Sequence, residues 1–108
     1  MRPITFRAWN DIDKMMIGWD TLQASPVLLM NILKGKVKHH KLMQFTGLQD
    51  SEGVDIYEGD VFLPLYNRLP KLAVIYKNGK FNISNFCHAK CKVIGNIHQN
   101  PELLGLNK

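Results

Sequence analysis

The sequence is short of cysteine and has no long apolar run. Two cysteines in 108 residues do not make the disulfide framework of a small secreted protein. No stretch approaches the ~20 apolar residues that a membrane-spanning helix requires, and residues 1–11 lack the apolar region of a secretory signal. An apolar fraction of 45% is enough for one folded core. We therefore predict a single cytoplasmic domain over residues 1–108, with no membrane partner.

Motifs for cofactors and catalysis are also missing. Gly47, Gly53 and Gly59 are not followed by the Lys-Ser/Thr pair of a phosphate-binding loop, and neither G-x-G-x-x-G nor G-x-S-x-G occurs. The acidic residues around these glycines do not have calcium-loop spacing. Glu58 and Asp60 flank a glycine, where carboxylates commonly accept backbone N–H groups, so we interpret them as turn residues. The sequence predicts no enzyme activity and no cofactor.

Acidic residues are scarce in the C-terminal part, and the net charge of +5 is unevenly distributed. Residues 42–63 carry five acids and no Lys or Arg, whereas residues 64–108 carry seven Lys and Arg and one acid. A third block, residues 34–41, is purely basic. Its lysines are Lys34, Lys36, Lys38 and Lys41. This distribution suits self-association, in which a basic face of one copy meets an acidic face of another.

The same basic residues suggest nucleic-acid binding as an alternative function. Tyr66, Arg68 and Lys71 lie in a proline-bounded loop, where the tyrosine ring could stack on a base. Together with the lysines of residues 34–41 they are the candidate contacts to phosphate. The simpler interpretation is that these lysines solvate loops and strand edges.

Cys87, His88 and Cys91 are weak candidates for metal binding, with His98 as a possible fourth ligand. The C-x3-C spacing has no second cysteine pair, which a structural zinc site would usually supply. We favour two reduced thiols around a polar turn and predict no metal site.

Short alternating segments separated by Gly, Pro, Asn and Asp predict antiparallel strands. Asn78-Gly79 lies between β-rich segments and indicates a type I′ hairpin. Ser25-Pro26 before an apolar run indicates a helix over residues 26–34, with Ser25 as its N-cap. Other predicted elements are strands over 3–9, 15–19, 42–46 and 93–97, a loop over 47–53 and a short helical turn with Asn100 as its N-cap. We predict a mostly β fold: a small antiparallel barrel or strongly bent sheet with one or two short helices.

Four blocks of the sequence resemble the YopX family of phage and prophage proteins. Phe6–Asn10 with Lys14-Met15 resembles the family opening, and Leu42–Gly53 resembles its central block. Ile56–Val61 resembles its "IYEGDIV" block and Val93–Leu104 its closing "VIGNIYENPEL". The blocks occur in family order over nearly the whole chain. Asn10 in place of an acid, Phe45 in place of Tyr and the Cys/His segment depart from the pattern.

The resemblance implies a β-rich, barrel-containing fold and a non-enzymatic accessory protein in the bacterial host cell. It carries over no catalytic residue, and it favours protein contacts, with further copies of the chain and an unidentified phage or host protein as partners. Arg7 is expected to pack on or pair with the Glu58–Asp60 turn. The family motifs are interpreted as scaffold residues: Arg7, Trp9, Gly47, Gly53, Glu58, Gly59, Asp60, Asn100 and Pro101.

Overall fold

A computed structural model describes residues 4–104. The sheet strands are short, except for one of ten residues. In chain order the elements are β1 Phe6–Asn10, β2 Met15–Ile17, α1 Trp19–Ala24, α2 Pro26–Leu33, β3 His40–Gln49, β4 Asp55–Tyr57, β5 Asp60–Pro64, β6 Leu72–Ala73, β7 Tyr76–Lys77, β8 Lys80–Phe81 and β9 Cys91–Asn96. Short 3₁₀ turns cover Asn82–Asn85, His88–Lys90 and Pro101–Leu104.

The strands form one curled sheet and two smaller ones, all paired antiparallel. The four-stranded sheet has the order β2-β1-β3-β4 and curls into a half-barrel. The second sheet has the order β6-β5-β9, and β7 pairs with β8. The predicted fold class, a mostly β domain with a strongly bent sheet and two short helices, is confirmed.

The turns follow the chemistry that the sequence indicates. In the β1–β2 hairpin, the side-chain oxygen of Asn10 accepts from the backbone N–H groups of Ile12 at 3.0 Å and Asp13 at 3.1 Å. Between β7 and β8, Asn78 and Gly79 both have positive φ, 56° and 83°, as a type I′ turn requires. The predicted hairpin is confirmed, but its paired strands are only two residues long.

The predicted helix is α2. A second helix, α1, begins at Trp19, so the predicted strand over 15–19 is wrong beyond Ile17. Ser25 occupies the N-cap position of α2, but its side chain makes no capping hydrogen bond, contrary to expectation. Helix α1 has only six residues and no side-chain cap, so packing against the rest of the fold must stabilise it. That support comes from Leu22, which is fully buried against Ala8 of β1. No helix within residues 4–104 has the length and hydropathy that crossing a bilayer requires.

The predicted loop over residues 47–53 is wrong in its first part, because β3 continues through Gln49. Gly47 does not end the strand; its φ of 89° lies within the irregular register between Phe45 and Gln49. Thr46 supports this bulge, since its hydroxyl donates to the Ile56 carbonyl at 2.8 Å and accepts from the Leu48 N–H at 3.2 Å. The bulge bends β3 instead of terminating it.

Two apolar clusters lie on different parts of the fold. The larger, around Phe62, Ile56 and Ile83, fills the space between the sheets. The smaller lies beneath the helices, where α1 and α2 cover one face of β1 through Leu22, Ile32 and Ala8. The opposite face of β1 presents Arg7 and Trp9, in agreement with the predicted alternation.

Candidate functional site

Arg7 and Asp60 join the two larger sheets. The guanidinium of Arg7, on β1, donates to the carboxylate of Asp60, the first residue of β5. The other carboxylate oxygen accepts from the backbone N–H of Tyr57 at 2.8 Å. The guanidinium carbon lies 4.2 Å from the centre of the Tyr57 ring. The expected pairing of Arg7 with this turn is therefore present, and it ties β1 to β5.

Burial controls the protonation of this pair. It raises the pKa of Asp60 to about 6 from its ordinary 3.8, although the Arg7 charge and the Tyr57 N–H act in the opposite direction. The Asp60 side chain is 1% exposed. The Nε atom of Arg7 is also buried and has no hydrogen-bond partner within residues 4–104. A carboxylate with almost no accessible surface supports a structural role more than a catalytic one.

The turn before Asp60 packs closely against Met43 and His98 at Gly59. The φ of Gly59 is 90°, and a Cβ there would lie 3.2 Å from Met43 Cε and 3.5 Å from His98 Nε2. Burial lowers the pKa of His98 in this position. His98 therefore lies at the start of β5, whereas Cys91 pairs in register with Pro64 at the end of that strand. The structure does not bring His98 to the cysteines as a fourth metal ligand.

The Cys/His segment is held by hydrogen bonds instead of being arranged around a shared centre. The Cys91 thiol is buried and donates to the Cys87 carbonyl at 3.2 Å, while Cys87 itself is exposed. His88 Nδ1 lies 2.7 Å from the carbonyl oxygen of Gln49. Burial raises the pKa of the Cys91 thiol, so the reactive thiolate form is disfavoured. No cluster of three metal-ligating side chains occurs in the described part of the chain.

Asp50 organises the loop between β3 and β4. One carboxylate oxygen accepts from the backbone N–H groups of Glu52 at 2.8 Å and Val54 at 2.9 Å, and the other accepts from Val93 of β9 at 2.9 Å. Burial alone would raise the pKa of Asp50, but these three donors together outweigh it and the pKa is lowered. This residue links the loop to the second sheet.

We expect Asp50→Asn to destabilise the fold by about 1–3 kcal/mol at neutral pH, because the charge-assisted bonds are weakened. The folded-state pKa lies below 3.8, so the ionised form contributes stability above that pH, and this contribution is lost as pH falls through the folded pKa. The deficit of the variant should therefore shrink in acid. Urea unfolding at neutral and acidic pH measures it, and an equal deficit at both would contradict this explanation.

An open groove of about 480 Å³ lies between the β1–β2 turn and the connection from α2 to β3. Ile12 and Val37 are its apolar lining residues. Its polar lining residues are Asn10, Asp13, Lys36, Lys38, His39 and His40. Of the predicted basic residues, Lys36 and Lys38 thus lie at the groove. Lys41 is close by, with its ammonium 3.4 Å from the Lys38 carbonyl. Lys34 is exposed at the end of α2.

The second predicted basic segment lies at the other end of β3. The Tyr66 hydroxyl accepts from the Cys87 N–H at 3.0 Å, so this ring is engaged within the fold. Arg68 is exposed and has a positive φ of 52°, an uncommon conformation for arginine. Lys71 is also exposed. Cys87 adjoins His88, which contacts Gln49 at the end of β3, whereas the groove adjoins the start of that strand. The structure does not join the two segments into one patch.

A family model for the YopX protein matches residues 5–105, nearly the whole chain. The chain belongs to the YopX family. Among solved structures, this YopX domain is similar in fold to protein EF1440 from Enterococcus faecalis. The TM-score is 0.68 at 24% identity, over 96% of this chain and 99% of that chain. No curated protein matches the sequence.

The YopX blocks supply the side chains that link separate elements of the fold. The opening block supplies Arg7, the central block supplies Asp50, and the third block supplies Tyr57 and Asp60. In the closing block, a Cβ on Gly95 would lie 2.6 Å from Asn100 Oδ1. The expected N-cap is wrong, because Asn100 Oδ1 accepts from Asn96 N–H in the preceding strand, at 3.2 Å, and not from the following turn. Pro101 begins that turn.

The sequence did not reveal two surface features of the YopX domain. One is the groove, whose walls come from segments about 25 residues apart. The other is the outer face of α2, which carries Val27, Met30 and Leu33. A signal for the second was present in the sequence: residues 26–33 contain no charged residue and only one polar one, Asn31, which is unusual for a helix at the surface.

Proposed function

We propose that this chain is a non-enzymatic accessory protein of a phage or prophage that acts through protein contacts and assembles with copies of itself. Membership of the YopX family supports the phage origin. Asp60 lies in a buried ion pair, and the Cys91 thiol donates to the Cys87 carbonyl, so both groups have structural explanations. The support for protein contacts comes from the surface of the fold.

The uncovered face of α2 carries this proposal. Leu28, Leu29 and Ile32 pack towards β1, which accounts for one side of the helix. The other side presents three large apolar residues: Val27 is 74% exposed, Met30 50% and Leu33 51%. Contiguous apolar surface of this kind marks interaction sites in soluble proteins.

A second copy of the chain suits this face because α2 contains no charged residue from Pro26 to Leu33. In a twofold contact the same patch meets itself, so a charge near the twofold axis would face its own copy. An uncharged apolar patch avoids that repulsion. Two α2 helices packed against each other would cover Val27, Met30 and Leu33 on both copies.

We expect Met30→Lys to weaken self-association at least about tenfold, since an ammonium would be buried in the contact. Sedimentation equilibrium over a range of concentrations measures the mass relative to the 12.4 kDa monomer. Gln23→Lys, at an exposed position of α1, is the matched control and should leave association unchanged. A wild-type chain that stays monomeric at every concentration would remove the self-assembly part of the proposal.

Nucleic-acid binding is the alternative, and Lys36 and Lys38 beside the groove are its best support. It is the weaker proposal because Tyr66 and Arg68 lie at the other end of β3. Retardation of DNA or RNA that weakens steeply with rising salt would favour the alternative over protein contacts.

A further inference from the structure

The groove and the β3–β4 loop have complementary chemistry. The groove combines the apolar Ile12 and Val37 with the exposed side chains of Lys36 and Lys38. Asp13 is the one acidic lining residue, and its carboxylate accepts from the Asn10 amide at 3.2 Å. A ligand for this groove should have a small apolar group flanked by negative charge.

The loop between β3 and β4 has this form. We call residues 51–55, the turn together with the first residue of β4, the tip. Val54 is 47% exposed and lies between two exposed acids, Glu52 and Asp55. Asp50 fixes the backbone of the tip through the Glu52 and Val54 N–H groups, so the loop is preorganised. Glu52 has an exposed partner, Lys92, at 3.7 Å, and Asp55 accepts from the Gln49 amide at 3.0 Å. These surface contacts are weak and leave both carboxylates accessible.

The groove and the tip lie at opposite ends of β3 and cannot meet within one chain. The groove includes His40, the first residue of the strand, whereas the tip begins two residues after Gln49, the last. Contact between them therefore requires two copies. Such a contact is heterologous, with different patches meeting, and it generates a ring or a filament.

We propose that the tip of one copy binds in the groove of the next, with Val54 against Ile12 and Val37 and its flanking acids against Lys36 and Lys38. The inference rests on the self-assembly in the proposed function and names a second interface for it. The α2 face is separate, because its residues do not line the groove.

Two charge-reversed variants test this contact: Lys36→Glu/Lys38→Glu in the groove and Glu52→Lys/Asp55→Lys in the tip. All four side chains are exposed, so both variants should fold, which circular dichroism checks. Each variant alone sets like charges against each other, and association should weaken at least about tenfold. An equimolar mixture pairs each reversed groove with a reversed tip and should restore association. Wild-type association should also weaken from about 0.1 M to about 1 M salt.

Lys71→Glu/Lys77→Glu is the matched control, with the same charge change at exposed positions outside the groove. Wild-type association that neither reversed variant changes would overturn the tip-and-groove contact and leave the α2 contact standing. Weakening without restoration in the mixture would also overturn it. A monomeric wild type would overturn this contact and the proposed self-assembly together. Only weakening by each variant with restoration on mixing supports the contact.

Discussion

Arg7→Met should lower the free energy of unfolding by about 3–5 kcal/mol at pH 7. The substitution leaves the Asp60 carboxylate buried without its cation, and the side chain is 1% exposed. It also removes the guanidinium that lies over the Tyr57 ring. Denaturant unfolding of wild type and variant, fitted as a two-state transition, measures the difference.

The pH dependence of this deficit separates a lost charge pair from lost packing. In the wild type the pKa of Asp60 is raised from 3.8 to about 6, so the folded state holds the proton more tightly than the unfolded state. The contribution of Asp60 to stability is therefore largest below pH 3.8 and declines as pH rises through about 6. Removing Arg7 raises the pKa of Asp60 further. The deficit of the variant should be small in acid and grow towards neutral pH.

The double variant Arg7→Met/Asp60→Asn is the control for this experiment. It removes the charge together with its partner, and the asparagine oxygen can still accept from the Tyr57 N–H. Replacing a buried ion pair as a unit is often close to neutral, so we expect most of the lost stability to return. A deficit of Arg7→Met that is the same at all pH values would show that its packing, not its charge, matters.

Phe62→Ala should lower the free energy of unfolding by about 3–5 kcal/mol, because it leaves a cavity in the larger core. Phe62 is fully buried on β5, and its ring packs edge to face with the Phe86 ring at a centroid distance of 5.2 Å. Thermal and denaturant unfolding measure the loss. No pH dependence is expected from this site.

Tyr76→Ala is the matched control for the Phe62 substitution. The Tyr76 ring also has an edge-to-face contact, with Phe81 at 4.9 Å, but the residue is exposed on a two-residue strand. We expect a loss of about 1 kcal/mol, the size of an aromatic pair without extensive burial. Equal losses at Phe62 and Tyr76 would contradict the assignment of the core.

The sequence predicted the parts of this fold that depend on local chemistry. Asn78-Gly79 favours a type I′ turn through its own backbone preferences, and a helix start and stop flank residues 26–34. Helix α1 escaped prediction because its stability comes from Leu22 packing on Ala8, which no local pattern reveals. The length of β3 was missed for a similar reason: the bulge at Gly47 depends on Thr46 bonding to another strand.

Among the candidate sites, too, local motifs predicted some features, whereas others depend on tertiary pairing. The pairing of Arg7 with the turn at Asp60 was expected from motifs. The groove could not be predicted, because Ile12 and Val37 line one groove only after β1 and β3 pair. Likewise, nothing in the sequence shows that Tyr66 bonds to Cys87, which separates it from the lysines of residues 34–41.

In the proposed self-association, helix α2 assigns folding and partner choice to different residues of the same turns. Leu28, Leu29 and Ile32 face the sheet, and any change there acts on stability. Val27, Met30 and Leu33 alternate with them and contribute little to the core. Substitutions on the outer row can therefore accumulate while the scaffold persists. Under the proposed α2 contact, related chains would differ in what they bind through these three side chains.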